Sequence, residues 1–139
     1  MGFRFPVSDT TSLDWLEQRI NPLPKHPTSI YWAVRTVLED DLVGYVSIFD
    51  IDYVSGTAEV GIYLSNLRGS GVGTDSINQS IERARKDLNL RKVSARTLST
   101  NLAAMKLFKK LGFLHEGTLS SQYWDGERYC DVEILSKFI

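Results

Sequence analysis

The 139-residue sequence is poor in several features that would assign it to a particular class of protein. Its one cysteine, Cys130, excludes an internal disulfide and lies in a strand-like run, where a small buried hydrophobe is expected rather than a nucleophile. The two histidines, His26 and His115, are far apart and give no zinc-ligand spacing, so we expect no metal site. The net charge is −1 with both signs interspersed, which argues against nucleic acid or an anionic membrane as a partner.

The sequence also lacks a long apolar run. No segment approaches the length of a membrane span, and residues 1–20 contain Asp9, Asp14 and Glu17 where a signal peptide would have an apolar core. These absences predict a cytoplasmic protein. The length and the ordinary composition predict one domain over residues 1–139, large enough for a substantial single core.

Strand-like and helix-like segments alternate along the chain, without an internal repeat. A short helix is predicted at 12–20, behind a Ser12 cap and before a proline-rich loop at 21–27. The later elements follow from hydrophobic periodicity, β-branched content and turn residues. They are strands at 30–38, 42–51 and 58–64, a helix at 74–88, a strand at 92–98, a helix at 101–111 closed by Gly112, and two strands around Asp125 and Gly126.

Residues 66–74 read NLRGSGVGT and stand between a predicted strand and a predicted helix, which is the arrangement of a phosphate-binding turn. Gly69, Gly71 and Gly73 allow positive φ and the close approach of a ligand to the main chain. The helix that follows directs its positive dipole end at the same point. The loop amides and the helix start are therefore predicted to bind one anion.

Two common phosphate motifs do not fit this segment. A Walker A loop needs a lysine beside its last glycine, and here Thr74 follows Gly73. A Rossmann fingerprint needs G-x-G-x-x-G in the first βα turn, whereas the spacing here is G-x-G-x-G in mid-chain. What remains is R-x-x-G-x-G from Arg68 to Gly73, for which a purely structural turn is the alternative.

The segments on either side of this loop resemble the GCN5-related N-acetyltransferases (GNAT), in the branch that acetylates ribosomal protein N-termini, polyamines and amino sugars. AEVGIYL at 58–64 is similar to the family's fourth strand, and KVSARTL at 92–98 is similar to its fifth. NLAAMKLFKKLGF at 101–113 resembles its second signature, which Glu116 continues. The resemblance implies an α/β fold with a mixed, mostly antiparallel sheet of about six strands flanked by helices, and an acetyl-CoA-binding core at about 58–113.

The same resemblance implies acetyl-CoA as the co-substrate, without a metal. The main chain of the strand before the glycine loop would pair with the pantetheine arm, and the loop amides would receive the pyrophosphate. Asn101 would cap its helix and also hydrogen-bond the arm. Lys110 would lie near the adenosine phosphate, and a solvated helix face is the alternative for it. The residues implied to bind acetyl-CoA are Ile62, Leu64, Arg68, Gly69, Gly71, Val72, Gly73, Thr74, Asn101, Phe108 and Lys110.

Glu59 is the candidate catalytic residue, because it occupies the position in the fourth strand where the family often carries its general base. An acceptor amine with a pKa near about 10.4 is almost fully protonated at neutral pH, so acetyl transfer needs a base. Strand alternation places Glu59 on the face of Gly61 and Tyr63, away from the aliphatic side chains. A carboxylate on a solvent-facing side of the strand is the alternative.

The sequence departs from the family at Phe108, where a tyrosine usually protonates the departing thiolate. A thiol with a pKa of about 8.5 can leave unprotonated at a penalty of the order of 2 kcal/mol, so transfer would be slowed and not abolished. Main-chain amides can still stabilise the tetrahedral oxyanion. A non-catalytic or regulatory module that binds acyl-CoA is the alternative function.

The acceptor site is predicted in the loop after residue 20 and in the hairpin around residue 125. There Trp32, Tyr123 and Trp124 would form an apolar wall, although core packing would use the same residues. We expect direct transfer to a primary amine in a ternary complex, since no serine or cysteine has an identifiable base partner. An amino sugar or a protein α-amine is favoured over a polyamine, because a polyamine site would need several carboxylates and the loop segments supply few.

A second departure lies near the N-terminus, where the family's first strand and helix have no counterpart in this sequence. Without that strand, residues 30–38 would form an exposed sheet edge unless residues 2–7 or a second subunit covered it. The sequence therefore favours a homodimer.

Overall fold

The structure, a computed structural model, describes residues 27–65 and 71–139. The predicted helix at 12–20 and the loop at 21–26 lie outside the described residues, as do Arg68 and Gly69 of the glycine-rich turn. The described elements are β1 (Ile30–Arg35), β2 (Leu42–Asp52), β3 (Thr57–Leu64), α1 (Val72–Asp87), β4 (Lys92–Leu98), α2 (Leu102–Lys110), β5 (Leu114–Trp124) and β6 (Tyr129–Phe138).

The predicted order of these elements is confirmed, and the largest displacement of a boundary is at the end of β1. β1 was expected to reach residue 38, but it ends at Arg35. A turn begins there instead, because Thr36 O accepts the N–H of Asp40 at 3.1 Å and Asp40 adopts a positive φ of 55°, which aspartate tolerates. Val37 and Leu38 are consequently almost fully exposed although they are apolar.

The six strands form one mixed sheet in the order β1-β2-β3-β4-β6-β5. β3 and β4 are parallel and are connected through α1, whereas every other neighbouring pair is antiparallel. This mixed, mostly antiparallel sheet of six strands confirms the predicted fold class, and α1 is the crossover connection that its parallel pair needs. β1 and β5 form the two edges of the described sheet.

Both helices bury one side against the same face of the sheet. Ile77, Ile81 and Ala84 of α1 recur at helical spacing and are buried, and α2 contributes Phe108. They join one hydrophobic cluster with the inward rows of the strands, which include Val46, Ile48, Ala58, Val60, Val93, Ala95 and Leu135. We call this side the helix face and the opposite side, which carries Glu59, the Glu59 face. Neither described helix is long and apolar enough to cross a membrane.

β3 and β4 are paired only at their beginnings. Their ladder consists of Thr57 with Lys92, Ala58 with Val93, and Glu59 with Ser94. Beyond this point β3 stays paired to β2 as far as Leu64, and β4 stays paired to β6 as far as Leu98. A cleft therefore opens between residues 60–64 of β3 and residues 95–98 of β4.

Candidate functional site

The first turn of α1 is built as an anion-binding helix start. Gly71 is its N-cap, with φ 83° and ψ −8°, a left-handed conformation that residues with a side chain rarely adopt. No side chain caps this end of the helix. The first main-chain hydrogen bond of the helix is the one that Asp75 N donates to Gly71 O at 3.0 Å. The N–H groups of Val72, Gly73 and Thr74 consequently have no partner within the helix. Helix starts of this kind bind phosphates and other anions.

α2 begins at the same end of the sheet as α1, where the cleft is open. Its N-cap is Asn101, whose Oδ1 accepts the N–H of Ala104 at 3.1 Å, as predicted for a capping asparagine. A Cβ placed on Gly73 would lie 3.6 Å from side-chain atoms of both Leu107 in α2 and Leu64 at the end of β3. The first turn of α1, the second half of α2 and the end of β3 therefore meet at one place.

Main-chain groups of β3 face the cleft at two of the predicted positions. Ser65 N donates to Val43 O at 2.8 Å, so these two residues form a hydrogen-bonded pair. Hydrogen-bonded and non-hydrogen-bonded pairs alternate in an antiparallel ladder, so Tyr63 bonds to β2 while Ile62 and Leu64 direct their main-chain groups to the other edge. That edge is not paired with β4 at these positions.

Glu59 lies at the last paired position of β3, where the cleft begins. Its side chain is only 12% exposed, and its Oε1 lies 2.8 Å from Nε of Arg96 on β4. Burial raises the pKa of Glu59 above 4.5; the Arg96 guanidinium opposes this rise and Asp50 adds to it. This environment is not that of a solvated surface carboxylate. A buried carboxylate with a raised pKa at the mouth of a cleft is suited to proton transfer.

A groove of about 240 Å³ adjoins Glu59 on the same face, between β3, β4 and β6. At its border Lys92 Nζ lies 2.6 Å from Glu116 Oε1, and Ser136 Oγ donates to Glu116 Oε2 at 2.8 Å. Both contacts lower the pKa of Glu116, and the contact with Lys92 has the larger effect. The two carboxylates nearest the groove are thus each paired with a cation, Glu116 with Lys92 and Glu59 with Arg96.

Three tyrosines from neighbouring strands extend the Glu59 face towards β1. The rings of Tyr31 and Tyr45 meet edge to face with centroids 6.3 Å apart, and those of Tyr45 and Tyr63 stack at 5.6 Å. Burial is the main cause of a raised pKa for Tyr45. The face that carries the candidate base therefore has an aromatic surface on its β1 side.

Sequence reasoning missed the two cations of this face. Lys92 and Arg96 alternate along β4 with residues whose side chains are fully buried, Val93, Ala95 and Thr97. The same period-2 argument that was applied to β3 would have identified them on β4. The alternation argument would not have shown which carboxylates these two cations contact. Those contacts depend on the pairing of β4 with β3 and β6.

Two of the predicted cofactor residues lie in the second half of α2. Phe108 is buried, and its ring packs edge to face against Phe113 with centroids 5.1 Å apart. Lys110 is exposed in the last turn of α2, about 14 Å from Asn101 by helical rise. The next residue, Leu111, accepts a hydrogen bond through its main-chain oxygen from Lys137 Nζ of β6 at 2.8 Å. Lys137 pairs with Val93, near the closed end of the β3–β4 pair. Lys110 thus lies one turn after Leu107, the α2 residue whose side chain approaches Gly73, and its contact with the cofactor stays a prediction.

The predicted apolar wall of Trp32, Tyr123 and Trp124 does not form within one chain. Trp32 is on β1 and packs against the core on the helix face, whereas the other two are on β5 at the opposite edge. Five strand spacings separate these edges, or about 24 Å. Tyr123 and Trp124 are adjacent in a strand and so point to opposite faces, and Trp124 packs instead on Tyr129 at 5.0 Å.

Cys130 is buried, and its thiol donates to Asp125 Oδ2 at 3.2 Å. This hydrogen bond is the main cause of a raised thiol pKa, which is the reverse of what an activated nucleophile requires. Within residues 27–65 and 71–139, no group of three histidine, cysteine or acidic side chains is arranged to hold a metal ion.

Comparison with known proteins gives consistent matches. The family profile described as "Acetyltransferase (GNAT) domain" matches residues 1–114. The spermidine N(1)-acetyltransferase of Vibrio cholerae is 31% identical over 103 residues, which are 71% of this chain and 60% of that protein. The ribosomal-protein-serine acetyltransferase of Escherichia coli is 26% identical over 102 residues, 73% of this chain and 57% of that protein. The chain thus spans about 60% of the length of these relatives.

Solved structures share the fold. The structure of spermidine N-acetyltransferase from Vibrio cholerae in complex with CoA and spermine superposes with a TM-score of 0.83 at 25% sequence identity. The match covers 98% of this chain and 79% of that chain.

Alanine at the two described glycines of the turn should have opposite effects on stability. Gly71→Ala should cost about 1 to 2 kcal/mol of the free energy of unfolding, because its φ of 83° strains any residue with a Cβ. Gly73→Ala meets only ordinary contacts within a helix, so it should be neutral or stabilise by up to about 1 kcal/mol. Urea denaturation measures both values. Equal effects of the two substitutions would contradict the assignment of Gly71 as a left-handed N-cap.

The pH dependence of stability should reveal the buried state of Glu59. Because its pKa is higher in the folded protein than the ordinary 4.5, the folded state binds this proton more tightly than the unfolded state does. The native protein should therefore gain stability relative to Glu59→Gln as the pH falls from about 7 towards about 5. Denaturation of both proteins across this range measures the difference. A difference that stays constant with pH would show that the pKa is not raised.

Proposed function

Because the chain belongs to the GNAT acetyltransferase family, we propose that it transfers the acetyl group of acetyl-CoA to a primary amine, directly and within a ternary complex. The observation that carries this proposal is the cleft between β3 and β4, with an uncapped helix start at its open end and a buried carboxylate at its closed end. The first feature suits a long anionic cofactor, and the second suits the removal of a proton from an amine.

Acetyl-CoA lies along the cleft in this proposal. The unpaired main-chain edge at Ile62 and Leu64 hydrogen-bonds the amides of the pantetheine arm, much as an added strand would. The first-turn N–H groups of α1 bind the pyrophosphate, with Arg68 and Gly69 completing the turn as expected from the sequence. Asn101 donates from its amide nitrogen to the arm while its oxygen caps α2.

Glu59 acts as the general base. The acceptor arrives as an ammonium ion and must lose a proton before its nitrogen can attack the thioester carbonyl. Glu59, ionised and shielded from solvent, takes that proton directly or through one water. The Arg96 guanidinium beside it favours the ionised carboxylate and opposes the rise of its pKa that burial causes.

The collapse of the tetrahedral intermediate releases CoA without a tyrosine proton donor at residue 108. Main-chain N–H groups at the cleft stabilise the oxyanion, and the thiolate leaves with its proton supplied by solvent. The resulting penalty is of the order of 2 kcal/mol, which an enzyme of ordinary efficiency can absorb. Phe108 also motivates the second candidate function, a module that binds acyl-CoA without turnover.

The acceptor is an amino sugar or a protein N-terminal amine in this proposal. The carboxylates nearest the groove on the Glu59 face, Glu59 and Glu116, are each paired with a cation, and a polyamine would need carboxylates that are free. The tyrosines on the same face offer a surface on which a sugar ring or a peptide could lie. The similarity to a spermidine acetyltransferase makes a polyamine the acceptor to test against these two.

The protein acts as a homodimer, and its location is the cytoplasm. The support for a dimer is that β1 has a neighbour, β2, on one side only within the described sheet, and such an edge invites pairing. Size-exclusion chromatography with light scattering should give the mass of two chains, and the mass of one chain would contradict this assignment.

Release of free CoA should identify the activity and its base in one experiment. Purified protein and acetyl-CoA are mixed with amino sugars, N-terminal peptides or polyamines, and the free thiol is followed with a thiol reagent. Turnover is expected on amino sugars or peptides, and Glu59→Gln should lower kcat at least about tenfold because it removes the base while it keeps a hydrogen-bonding group beside Arg96.

Glu116→Gln is the matched control, because it alters another ion-paired carboxylate beside the same groove and should leave kcat nearly unchanged. Turnover on polyamines alone would overturn the proposed acceptor class. Tight binding of acetyl-CoA without thiol release on any acceptor would favour the non-catalytic module. Equal kcat for the wild type and Glu59→Gln would remove Glu59 from the mechanism.

A further inference from the structure

Thr97 carries the one buried side-chain oxygen or nitrogen that lacks a hydrogen-bond partner in the described parts of the chain. Its side chain is 0% exposed. Other buried hydroxyls are satisfied: Ser80 Oγ donates to Ile77 O at 2.8 Å, and Ser136 Oγ donates to Glu116. A hydroxyl that is buried without a partner lowers the stability of the folded protein, so its presence needs a reason.

The position of Thr97 along β4 suggests that reason. The inward row of β4 is Val93, Ala95 and Thr97, all fully buried on the helix face. The first two are apolar, and Thr97 is the polar member of the row. It also lies past Ser94, the last residue of β4 that pairs with β3. The hydroxyl therefore occurs where β4 is no longer paired with β3.

The partner of Thr97 across this gap is identified by continuing the strand register. Since Glu59 pairs with Ser94, Ile62 lies level with Thr97 along the strands. Both residues alternate onto the helix face, and Ile62 directs its main-chain groups towards the cleft. Thr97 therefore lies on the strand that borders the cleft, level with the unpaired main chain of Ile62, and its hydroxyl is covered in the free protein.

We infer that Thr97 Oγ1 hydrogen-bonds the acylated pantetheine arm of acetyl-CoA when the cofactor occupies the cleft. This inference rests on the proposed function, because that function supplies the cofactor. The arm carries amide and thioester oxygens that can accept from a hydroxyl and amide N–H groups that can donate to one. Thr97 is thus a cofactor-binding residue whose hydroxyl is satisfied only in the complex.

The test separates the cost of the hydroxyl in the free protein from its benefit in the complex. Thr97→Val has nearly the same shape without the hydroxyl, and Thr97→Ser keeps the hydroxyl. We expect Thr97→Val to raise the melting temperature of the free protein and to weaken acetyl-CoA binding about fivefold, as measured by calorimetry. Binding of adenosine 3′,5′-bisphosphate, which lacks the arm, should be unchanged, and Thr97→Ser should bind acetyl-CoA within about twofold of the wild type.

Each other outcome contradicts a defined part of the inference. If the wild type binds acetyl-CoA and Thr97→Val binds it equally well, the hydroxyl does not contact the cofactor and the proposed function is unaffected. If Thr97→Val is less stable than the wild type without ligand, the hydroxyl already has a partner, such as a buried water, and the inference fails. If the wild type binds no acetyl-CoA, the proposed function fails together with this one.

Discussion

The separation of two parallel strands is the constraint on which the rest of this structure depends. β3 and β4 share three paired positions and are then held by other neighbours, β3 by β2 as far as Leu64 and β4 by β6 as far as Leu98. Each strand is thus paired on its outer side beyond the point where the two strands separate. The gap leaves main-chain groups of β3 unpaired, and α1 and α2 both follow the strand ends that border its open side.

The electrostatics of the Glu59 face follow from the same geometry. Glu59 sits at the last rung of the ladder, where packing removes it from water and Arg96 on the adjoining strand still reaches it. Burial alone would drive the carboxyl towards its neutral form, and the guanidinium limits this effect. Phe108, by contrast, is an apolar residue whose ring packs against Phe113 in the core. A tyrosine hydroxyl at this position would need a hydrogen-bond partner of its own.

The elements and their order could be predicted because they depend on interactions that are close in sequence. Hydrophobic periodicity gave α1 and β4, and an asparagine before a helical run gave the cap at Asn101. The wall of Trp32, Tyr123 and Trp124 could not be judged in this way. Whether those residues meet depends on which strands are neighbours, and β1 and β5 turn out to be the opposite edges of the sheet.

The amino-acid sequence by itself determined the conformations that need particular residues: the left-handed turn at Gly71, the cap at Asn101, and the alternation that puts Glu59 on the face opposite the aliphatic side chains of β3. Only the tertiary structure decided that Arg96 contacts Glu59 and that the hydroxyl of Thr97 is buried without a partner. The physical reason is that a backbone preference is local, whereas burial and charge pairing arise between strands that are far apart in the chain and are brought together by packing.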